Sequence, residues 1–246
     1  MEDIDQSEIE WVDEEKETTD TDDSIEQERK VTEKEFFECT SPTMILINGP
    51  TESGKSVLFL WWLYHNRSRF DEVIIFCPTF AHNKTYSSTF PQSSIIVDPK
   101  KEDIQRVLDE ADATPYLKRL LIFDDIVGCK KIGRSEELGK IATGGRHTNL
   151  SCAILTQHLH SIAPEIRSQI RAMYITGVSP NDLETVWGLQ LSSRFDTKRQ
   201  LKRFLDENVK DYQFVRFNTT MKGDREPIVF KPGMAPKMRF RSFRER

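Results

Sequence analysis

Residues 44–56 read Met-Ile-Leu-Ile-Asn-Gly-Pro-Thr-Glu-Ser-Gly-Lys-Ser, and this stretch decides the fold. The four apolar residues from Met44 to Ile47 predict a short buried strand. Gly49 to Ser56 matches the pattern G-x-x-x-x-G-K-[ST], and the apolar segment from Ser56 to Tyr64 predicts a helix directly after it. Glycines let such a loop wrap an anion with its N–H groups, and the positive end of the helix dipole points at the same place. The stretch therefore predicts a loop that binds the phosphates of ATP or GTP.

The positions of this loop have separate expected roles. Lys55 is expected to face solvent until phosphate arrives and then to bridge the β- and γ-phosphates, while Ser56 is expected to ligate Mg²⁺. Glu52 places an unusual carboxylate in the loop, and we expect it to point outward. The alternative is a glycine-rich turn with a surface lysine. The expected nucleotide-binding set is Gly49, Pro50, Thr51, Glu52, Ser53, Gly54, Lys55, Ser56 and Val57.

Short apolar runs alternate with helical patterns along the rest of the chain. Further strands are predicted over 72–76, 94–97, 120–123, 152–155 and 173–176, and further helices over 101–111, 135–141, 163–171, 181–189 and 198–208. Continuous apolar strands that alternate with helices indicate a mostly parallel sheet covered on both faces. The expected fold is an α/β P-loop NTPase three-layer sandwich. Residues 212–217 and 227–230 predict an additional β-hairpin.

An acidic pair, Asp124 and Asp125, ends the strand predicted over 120–123. This is the Walker B arrangement, in which Asp124 would hold the Mg²⁺ shell through water or through Ser56. Asp125 would act as the general base on the attacking water. Acidic pairs after strands also form caps and turns. We favour the catalytic interpretation because a phosphate-binding loop lies upstream.

Gln157 and two arginines complete the candidate catalytic set. Gln157 follows the strand predicted over 152–155, at the end of the strand where open α/β sheets place their sites. If that strand lies between those of the phosphate loop and of Asp124, Gln157 would face the γ-phosphate. Arg146 is the first candidate and Arg167 the second for the cation that stabilises the developing γ-phosphoryl charge. A capping role for Gln157 and surface ion pairs for the arginines are the alternatives.

Charge divides the chain into three expected units, which are an acidic disordered tail (1–40), the ATPase core (41–190) and a basic C-terminal unit (191–246). Residues 1–38 hold 17 acidic and 4 basic side chains, a net charge of −13, whereas residues 191–246 hold 15 basic and 7 acidic ones, a net charge of +8. The tail lacks the apolar surface needed to order it. It would serve as a solubilising segment, as a nucleic-acid mimic docked on the basic unit, or as a peptide that recruits a partner through Trp11 and Val12.

Other features exclude several classes of protein. No apolar run approaches the ~20 residues that a bilayer span needs, and the start Met1-Glu2-Asp3 lacks the basic and apolar regions of a secretory signal. The four cysteines show no paired spacing, so we expect reduced thiols. His147, His158 and His160 lack a CxxC-type framework, and the sequence therefore favours no zinc site.

The segment from Gly145 to Gln157 (GRHTNLSCAILTQ), with Ile162 to Arg167 (IAPEIR) and Ile170-Arg171 after it, resembles DNA-pumping ATPases of the FtsK–HerA superfamily. Within that group it is most similar to the DNA-packaging ATPases of poxviruses and related large DNA viruses. The resemblance covers roughly residues 43–180. It implies a homo-oligomeric ring that hydrolyses ATP to drive double-stranded DNA into a preformed capsid, with Arg146 as a finger acting across the subunit interface. It also implies capsid or portal-vertex partners and a viral protein that works in the host-cell cytoplasm or virus factory, in part with the virion.

The basic C-terminal unit suits a DNA partner. Four basic residues crowd one predicted helix, and six more occur in residues 231–246 among aromatic and methionine side chains. Such a surface also suits RNA, an acidic protein or the chain's own tail. Two other functions stay open, namely a P-loop small-molecule kinase and a non-translocating nucleotide switch or assembly factor. Stimulation of ATP turnover by DNA distinguishes a translocase from a kinase. Asp125→Asn distinguishes it from a switch, because a switch would keep its function and a translocase would bind ATP but fail to move DNA.

Overall fold

The computed structural model describes residues 36–39, 42–80, 85–125, 132–189, 194–219 and 227–231. Within these ranges eight strands form one sheet. The strands are β1 (Met44–Asn48), β2 (Glu72–Phe76), β3 (Ile95–Ile96), β4 (Arg119–Asp124), β5 (Leu150–Thr156), β6 (Ala172–Ile175), β7 (Phe214–Asn218) and β8 (Ile228–Phe230). The helices are α1 (Lys55–Asn66), α2 (Lys101–Ala113), α3 (Glu136–Gly144), α4 (Pro164–Arg167), α5 (Pro180–Gly188) and α6 (Lys198–Asn208).

The sheet order is β3-β2-β4-β5-β1-β6-β7-β8. The first six strands in this order run parallel, and β7 and β8 are antiparallel to their neighbours. β5 lies between β4 and β1, which brings the carboxyl ends of these three strands side by side. This edge is where open α/β sheets carry their sites. The predicted mostly parallel α/β sandwich is confirmed.

Two hydrophobic cores cover the two faces of the sheet because successive strand side chains point to opposite faces. In β1, Met44 and Leu46 join one core, and Ile45 and Ile47 join the other. The first core packs apolar side chains of α2 to α6, whereas the second packs α1 together with a cluster of aromatic side chains. All five residues of β1 are buried. The fold therefore has three layers, with the sheet in the middle.

Local sequence explains where several helices begin. The Ser135 side chain accepts a hydrogen bond from the Leu138 N–H at the start of α3, and Thr197 and Gln200 form a capping box at the start of α6. α5 begins at Pro180 after Ser179, whose hydroxyl accepts from the Asp182 N–H.

The helix predicted over 163–171 is wrong in its length, because α4 ends at Arg167. The Gln169 N–H bonds to the Ile166 carbonyl and the Ile170 N–H to the Arg167 carbonyl, which is the tighter spacing of a helix terminus. Arg171 then donates its N–H to the Met44 carbonyl. The chain has to leave the helix early in order to pair with β1 along β6.

The C-terminal strands extend the same sheet. β7 pairs antiparallel with β6, and β8 pairs antiparallel with β7, as the predicted hairpin requires. Residues 220–226, between these strands, lie outside the described residues, as do the acidic segment 1–35 and the basic segment 232–246. The division of the chain into three units at residues 40 and 190 stays a prediction. None of the helices in the described ranges has the length and apolar character needed to cross a membrane.

Candidate functional site

The loop between β1 and α1 has the backbone shape of an anion cradle. α1 begins at Lys55 after Gly54, which adopts a left-handed conformation with φ 85° and makes no side-chain cap. No acidic residue lies in the first turn of α1. The first N–H groups of the helix and the positive end of its dipole are therefore directed at the loop. An anion such as a phosphate fits this position without displacing a capping side chain.

Gly49 is required by the close packing of the loop against β6. A Cβ atom at this position would collide with the Thr176 hydroxyl and would lie 2.7 Å from the Ser53 hydroxyl. The Ser53 and Thr176 hydroxyls also hydrogen bond to each other, which ties the loop to the end of β6. Any larger residue at position 49 would push the loop away from the sheet.

Lys55 donates to two carbonyl groups of its own loop, so the prediction that it faces solvent is wrong. Its Nζ donates to the Gly49 carbonyl at 2.9 Å and to the Pro50 carbonyl at 2.7 Å, and the side chain is half-buried. Burial lowers the pKa of Lys55, and the nearby Asp124 and Asp125 carboxylates oppose this shift. The ammonium group thus holds the loop closed and lies beside the acidic pair.

Asp124 forms a small buried network with Ser56 and Tyr86. Its Oδ2 accepts a hydrogen bond from the Tyr86 hydroxyl at 2.7 Å and one from the Ser56 hydroxyl at 3.4 Å. Asp124 is only 3% exposed. Burial raises its pKa to about 6, against the lowering effect of the Tyr86 hydrogen bond. The hydroxyl and carboxylate oxygens of Ser56 and Asp124 are the donors that Mg²⁺ prefers, so these residues fit that ion.

Asp125 leaves the sheet in a left-handed backbone conformation, with φ 53°. Its N–H still donates to the Leu155 carbonyl at 3.1 Å, so β4 and β5 stay paired up to this point. The side chain is half-buried, close enough to Lys55 to raise the pKa of that lysine. Aspartate tolerates this conformation better than most residues. The carboxylate therefore lies at the same edge of the sheet as the loop.

Gln157 meets the loop directly. Its Oε1 accepts a hydrogen bond from the Thr51 hydroxyl at 2.9 Å. The predicted strand order is confirmed, since β5, which ends next to Gln157, lies between the strand that precedes the loop and the strand that ends in Asp124. Thr51, Gln157 and His158 also line a cavity of about 760 Å³ that opens beside the loop.

The two candidate arginines lie elsewhere in the chain. Arg146 is exposed in the turn that precedes β5, so the whole length of that strand, about 20 Å at 3.3 Å per residue, separates it from Gln157. Arg167, in α4, contacts the Leu159 carbonyl weakly at 3.5 Å and lines a different cavity with Glu184. Partial burial and the nearby Arg134 lower the pKa of Arg167. The fold thus does not bring either arginine to the loop of its own chain.

Sequence reasoning missed two residues of this site, Tyr86 and Thr176. Tyr86 carries no recognisable signal, because it lies in the segment between β2 and β3 and reaches Asp124 only through the fold. Thr51 belongs to the expected nucleotide-binding set, but its hydrogen bond to Gln157 was not predicted. Thr176 had a usable signal, since it is a polar residue directly after a buried strand, as Gln157 is.

Comparison with known proteins gives one family and one curated relative. Residues 33–213 match the family described as Poxvirus A32 protein. The uncharacterized protein 075L of Invertebrate iridescent virus 6 is 25% identical over 159 residues, which are 61% of this chain and 61% of that protein. The chain thus spans less than two thirds of the length of this relative.

Solved structures share the fold. The DNA-packaging ATPase B204 from Sulfolobus Turreted Icosahedral Virus is 17% identical with a TM-score of 0.55, over 78% of this chain and 98% of that one. The genome packaging NTPase B204 from Sulfolobus turreted icosahedral virus 2, in complex with ATP-gammaS, is 17% identical with a TM-score of 0.53, over 78% and 99%. The pCW3 conjugation coupling protein TcpA with ATPgS is 11% identical with a TM-score of 0.53, over 78% and 60%.

At these identities the structures establish a common fold, whereas the family match extends over more than half of the chain. It runs from before β1 to the turn that precedes β7, and so includes the loop, the acidic pair and Gln157. This chain belongs to the Poxvirus A32 protein family.

Proposed function

We propose that this chain is an ATPase that uses Mg²⁺·ATP to move double-stranded DNA into a viral capsid. The observation that carries the proposal is the meeting of Lys55, Ser56, Asp124 and Gln157 at the carboxyl ends of three adjacent strands. Family membership supports it, as do two fold relatives named as DNA- or genome-packaging enzymes, one of them in complex with ATP-gammaS. Nucleotide binding is the most general part of the proposed function, and transport of DNA into a capsid is the most specific part.

Each residue at this edge has a distinct task in ATP hydrolysis. The loop N–H groups between Thr51 and Val57 hold the phosphates, because the Gly49 N–H already donates to a carbonyl of β5 and Pro50 has no N–H. Lys55 exchanges its carbonyl partners for phosphate oxygens. Ser56 and Asp124 would hold Mg²⁺, which would supply positive charge to neutralise the phosphates. Asp125 takes the proton from the attacking water. Gln157, held by Thr51, orients that water.

Arg146 would act on the nucleotide of a neighbouring subunit. Arg146 lies at the amino-terminal end of β5, and about the whole length of that strand separates it from the loop. It therefore cannot reach a nucleotide bound to its own subunit. A ring of identical subunits would bring this exposed arginine to the next loop, where it stabilises the developing γ-phosphoryl charge. Mixing Arg146→Ala subunits with Lys55→Ala subunits should restore part of the ATPase activity that each variant lacks alone. No recovery in the mixture would remove the trans role.

The outer face of α6 is the proposed contact for the DNA backbone. Four exposed basic residues lie on this helix, namely Lys198, Arg199, Lys202 and Arg203. Lys198 pairs with Glu184, and Lys202 pairs with Asp206. Arg199 and Arg203 are spaced i, i+4 and therefore share a face. This pair is the better candidate for phosphate contacts.

ATPase rates with and without double-stranded DNA test the proposal. A translocase should turn over faster with DNA, and Asp125→Asn should still bind ATP while turnover stops. The double variant Arg199→Gln/Arg203→Gln should reduce the slope of log affinity for DNA against log salt by about 2. The matched control is Lys101→Gln/Arg106→Gln, two basic residues on the surface of α2. An ATPase rate that is the same with and without DNA would favour a kinase or a nucleotide switch.

The family and the iridescent-virus relative support a viral setting for this chain. The chain would assemble as a homo-oligomeric ring at a capsid or portal vertex, in the cytoplasm or virus factory of the host cell. Pull-down of capsid proteins with the wild-type chain, compared with a chain that lacks residues 1–35, tests the capsid contact and the contribution of the acidic segment.

A further inference from the structure

Two histidines and a buried aspartate meet beside Gln157, outside the set of residues assigned to ATP. His158 and His160 follow β5, and Asp182 lies in the first turn of α5. The Nδ1 of His160 is 3.2 Å from Asp182 Oδ1, and the Nδ1 of His158 is 3.9 Å from Asp182 Oδ2. One ligand atom from each of the three residues lies within 4.8 Å of the other two.

The Asp182 carboxylate is fully buried and held in place. Its Oδ2 accepts from the Ser179 hydroxyl at 2.9 Å, and its Oδ1 accepts from the His160 backbone N–H at 3.2 Å. Each carboxylate oxygen has two lone pairs, so both can accept a further partner. Hydrogen bonds of this kind orient a carboxylate ligand before an ion arrives. The two imidazoles are about half-exposed, with side-chain exposures of 46% for His158 and 59% for His160.

These distances suit a shared metal ion. Ligands at 2.0–2.1 Å from a tetrahedral ion lie about 3.3 Å from one another. The hydrogen bond between His160 Nδ1 and Asp182 Oδ1 already has this separation, and the ion would replace that hydrogen bond. His158 needs only a small rotation, and its exposed ring has room to make it. Binding requires the neutral tautomer that leaves Nδ1 unprotonated, with the proton on Nε2.

We propose that His158, His160 and Asp182 form a binding site for a transition-metal dication such as Zn²⁺. Two imidazoles and one carboxylate select Zn²⁺, Co²⁺, Ni²⁺ or Cu²⁺ over Mg²⁺, which prefers an octahedral shell of oxygen ligands. His158 lines the cavity of about 760 Å³, and this cavity provides an entry path for the ion. The sequence alone argued against a zinc site because the histidines lack a CxxC-type framework. The third ligand, Asp182, is 22 residues from His160 along the chain and comes close only through the fold.

Occupancy would fix the segment that follows Gln157. The ion ties the turn after β5 to the start of α5, and so limits the movement of Gln157 relative to Thr51. Arg134 donates to the His160 carbonyl at 2.8 Å, and the charge of Arg167 interacts with Asp182. These two cations lower the affinity for a further positive ion, which makes the site exchangeable rather than permanently filled.

The test measures metal binding directly, in chelator-treated protein without nucleotide. Titration with Co²⁺, followed by its visible d–d absorption, should give one ion per chain with nitrogen and oxygen ligands and no thiolate charge-transfer band. Zn²⁺ should displace the Co²⁺ and raise the melting temperature. Because the assay contains no ATP, its result is independent of the proposed ATPase activity.

His158→Ala/His160→Ala should weaken Co²⁺ binding by at least ~100-fold, since even changes to residues around the ligands cost 10–100-fold. His147→Ala, which removes an exposed histidine from the turn before β5, is the matched control and should bind as the wild type does. The changed histidines are exposed, so circular dichroism should report an intact fold. Equal binding by the double variant and the control, or no stoichiometric binding by the wild type, would overturn the proposal.

Discussion

Asp124→Asn is expected to stabilise the nucleotide-free protein while it abolishes ATP turnover. Asp124 is 3% exposed, and burial raises the pKa of its carboxyl from the ordinary value of 3.8 to about 6. The folded state thus holds a carboxylate whose ionisation costs free energy at neutral pH. Asparagine is similar in shape, carries no charge and keeps an oxygen that accepts the Tyr86 hydrogen bond. The substitution removes the cost of the buried charge and retains most of the packing.

The size of the effect follows from the two pKa values. A pKa difference from 3.8 to about 6 corresponds to about 3 kcal/mol at pH 7.5, with 1.36 kcal/mol for each pKa unit. The attraction between Asp124 and Lys55 is already included in this pKa difference. The value is an upper bound because the amide N–H groups of the buried asparagine also need hydrogen-bond acceptors. At roughly 2–4 °C per kcal/mol for a chain of this size, the melting temperature should rise by up to about 10 °C.

The stability difference between the wild type and Asp124→Asn is expected to depend on pH. The pKa is higher in the folded than in the unfolded state, so the folded wild-type protein binds the proton more tightly. The wild type therefore loses stability relative to Asp124→Asn as the pH rises from about 4 through about 6. The gap between the two proteins should be largest above pH 7, fall to about half at pH 5 and nearly close at pH 4.

Differential scanning calorimetry of both proteins at these pH values, without nucleotide or Mg²⁺, measures the gap. Asp98→Asn is the matched control, because the Asp98 side chain is 89% exposed and its change should stay within about 0.5 kcal/mol at every pH. A variant less stable than the wild type at pH 7.5, or a gap that does not change with pH, would refute the reasoning.

Three further predictions concern other parts of the chain. Lys55→Ala should weaken ATP binding by roughly 10–100-fold in isothermal titration calorimetry, since charge-assisted hydrogen bonds contribute about 1.5–3 kcal/mol; affinity equal to that of the wild type would refute the site. Gln157→Ala should lower kcat while ATP affinity changes little, because the glutamine contacts the side-chain hydroxyl of Thr51 and none of the loop N–H groups that hold phosphate; a loss of ATP affinity with unchanged kcat, measured by steady-state kinetics and calorimetry, would contradict this. Arg119→Ala should cost about 3–5 kcal/mol in urea unfolding, because it breaks the buried 2.7 Å pair with Glu72; a loss below about 1 kcal/mol would show that the pair is not structural.

The elements that sequence patterns predict well here are those whose signal is local. The strand, loop and helix that contain the phosphate motif are contiguous, so one short stretch holds both the hydrophobic pattern and the glycines. The strand predicted over 72–76 and the helix predicted over 198–208 have these bounds in the structure. The helix predicted over 163–171 failed because pairing of β6 with β1 overrides the local pattern after Arg167.

The sequence by itself determined that a buried strand turns through glycines into a helix, that an acidic pair and Gln157 end two other buried strands, and that the sheet is mostly parallel. Only the tertiary structure decided which of these residues contact one another. The Tyr86–Asp124 bond joins residues 38 apart, and the Thr51–Gln157 bond joins residues 106 apart. The fold also brings Asp182 close to His158 and His160, and places Arg146 at the amino-terminal end of β5, away from the phosphate loop. Strand order is the physical reason: it places the ends of distant segments side by side, and no local pattern encodes that order.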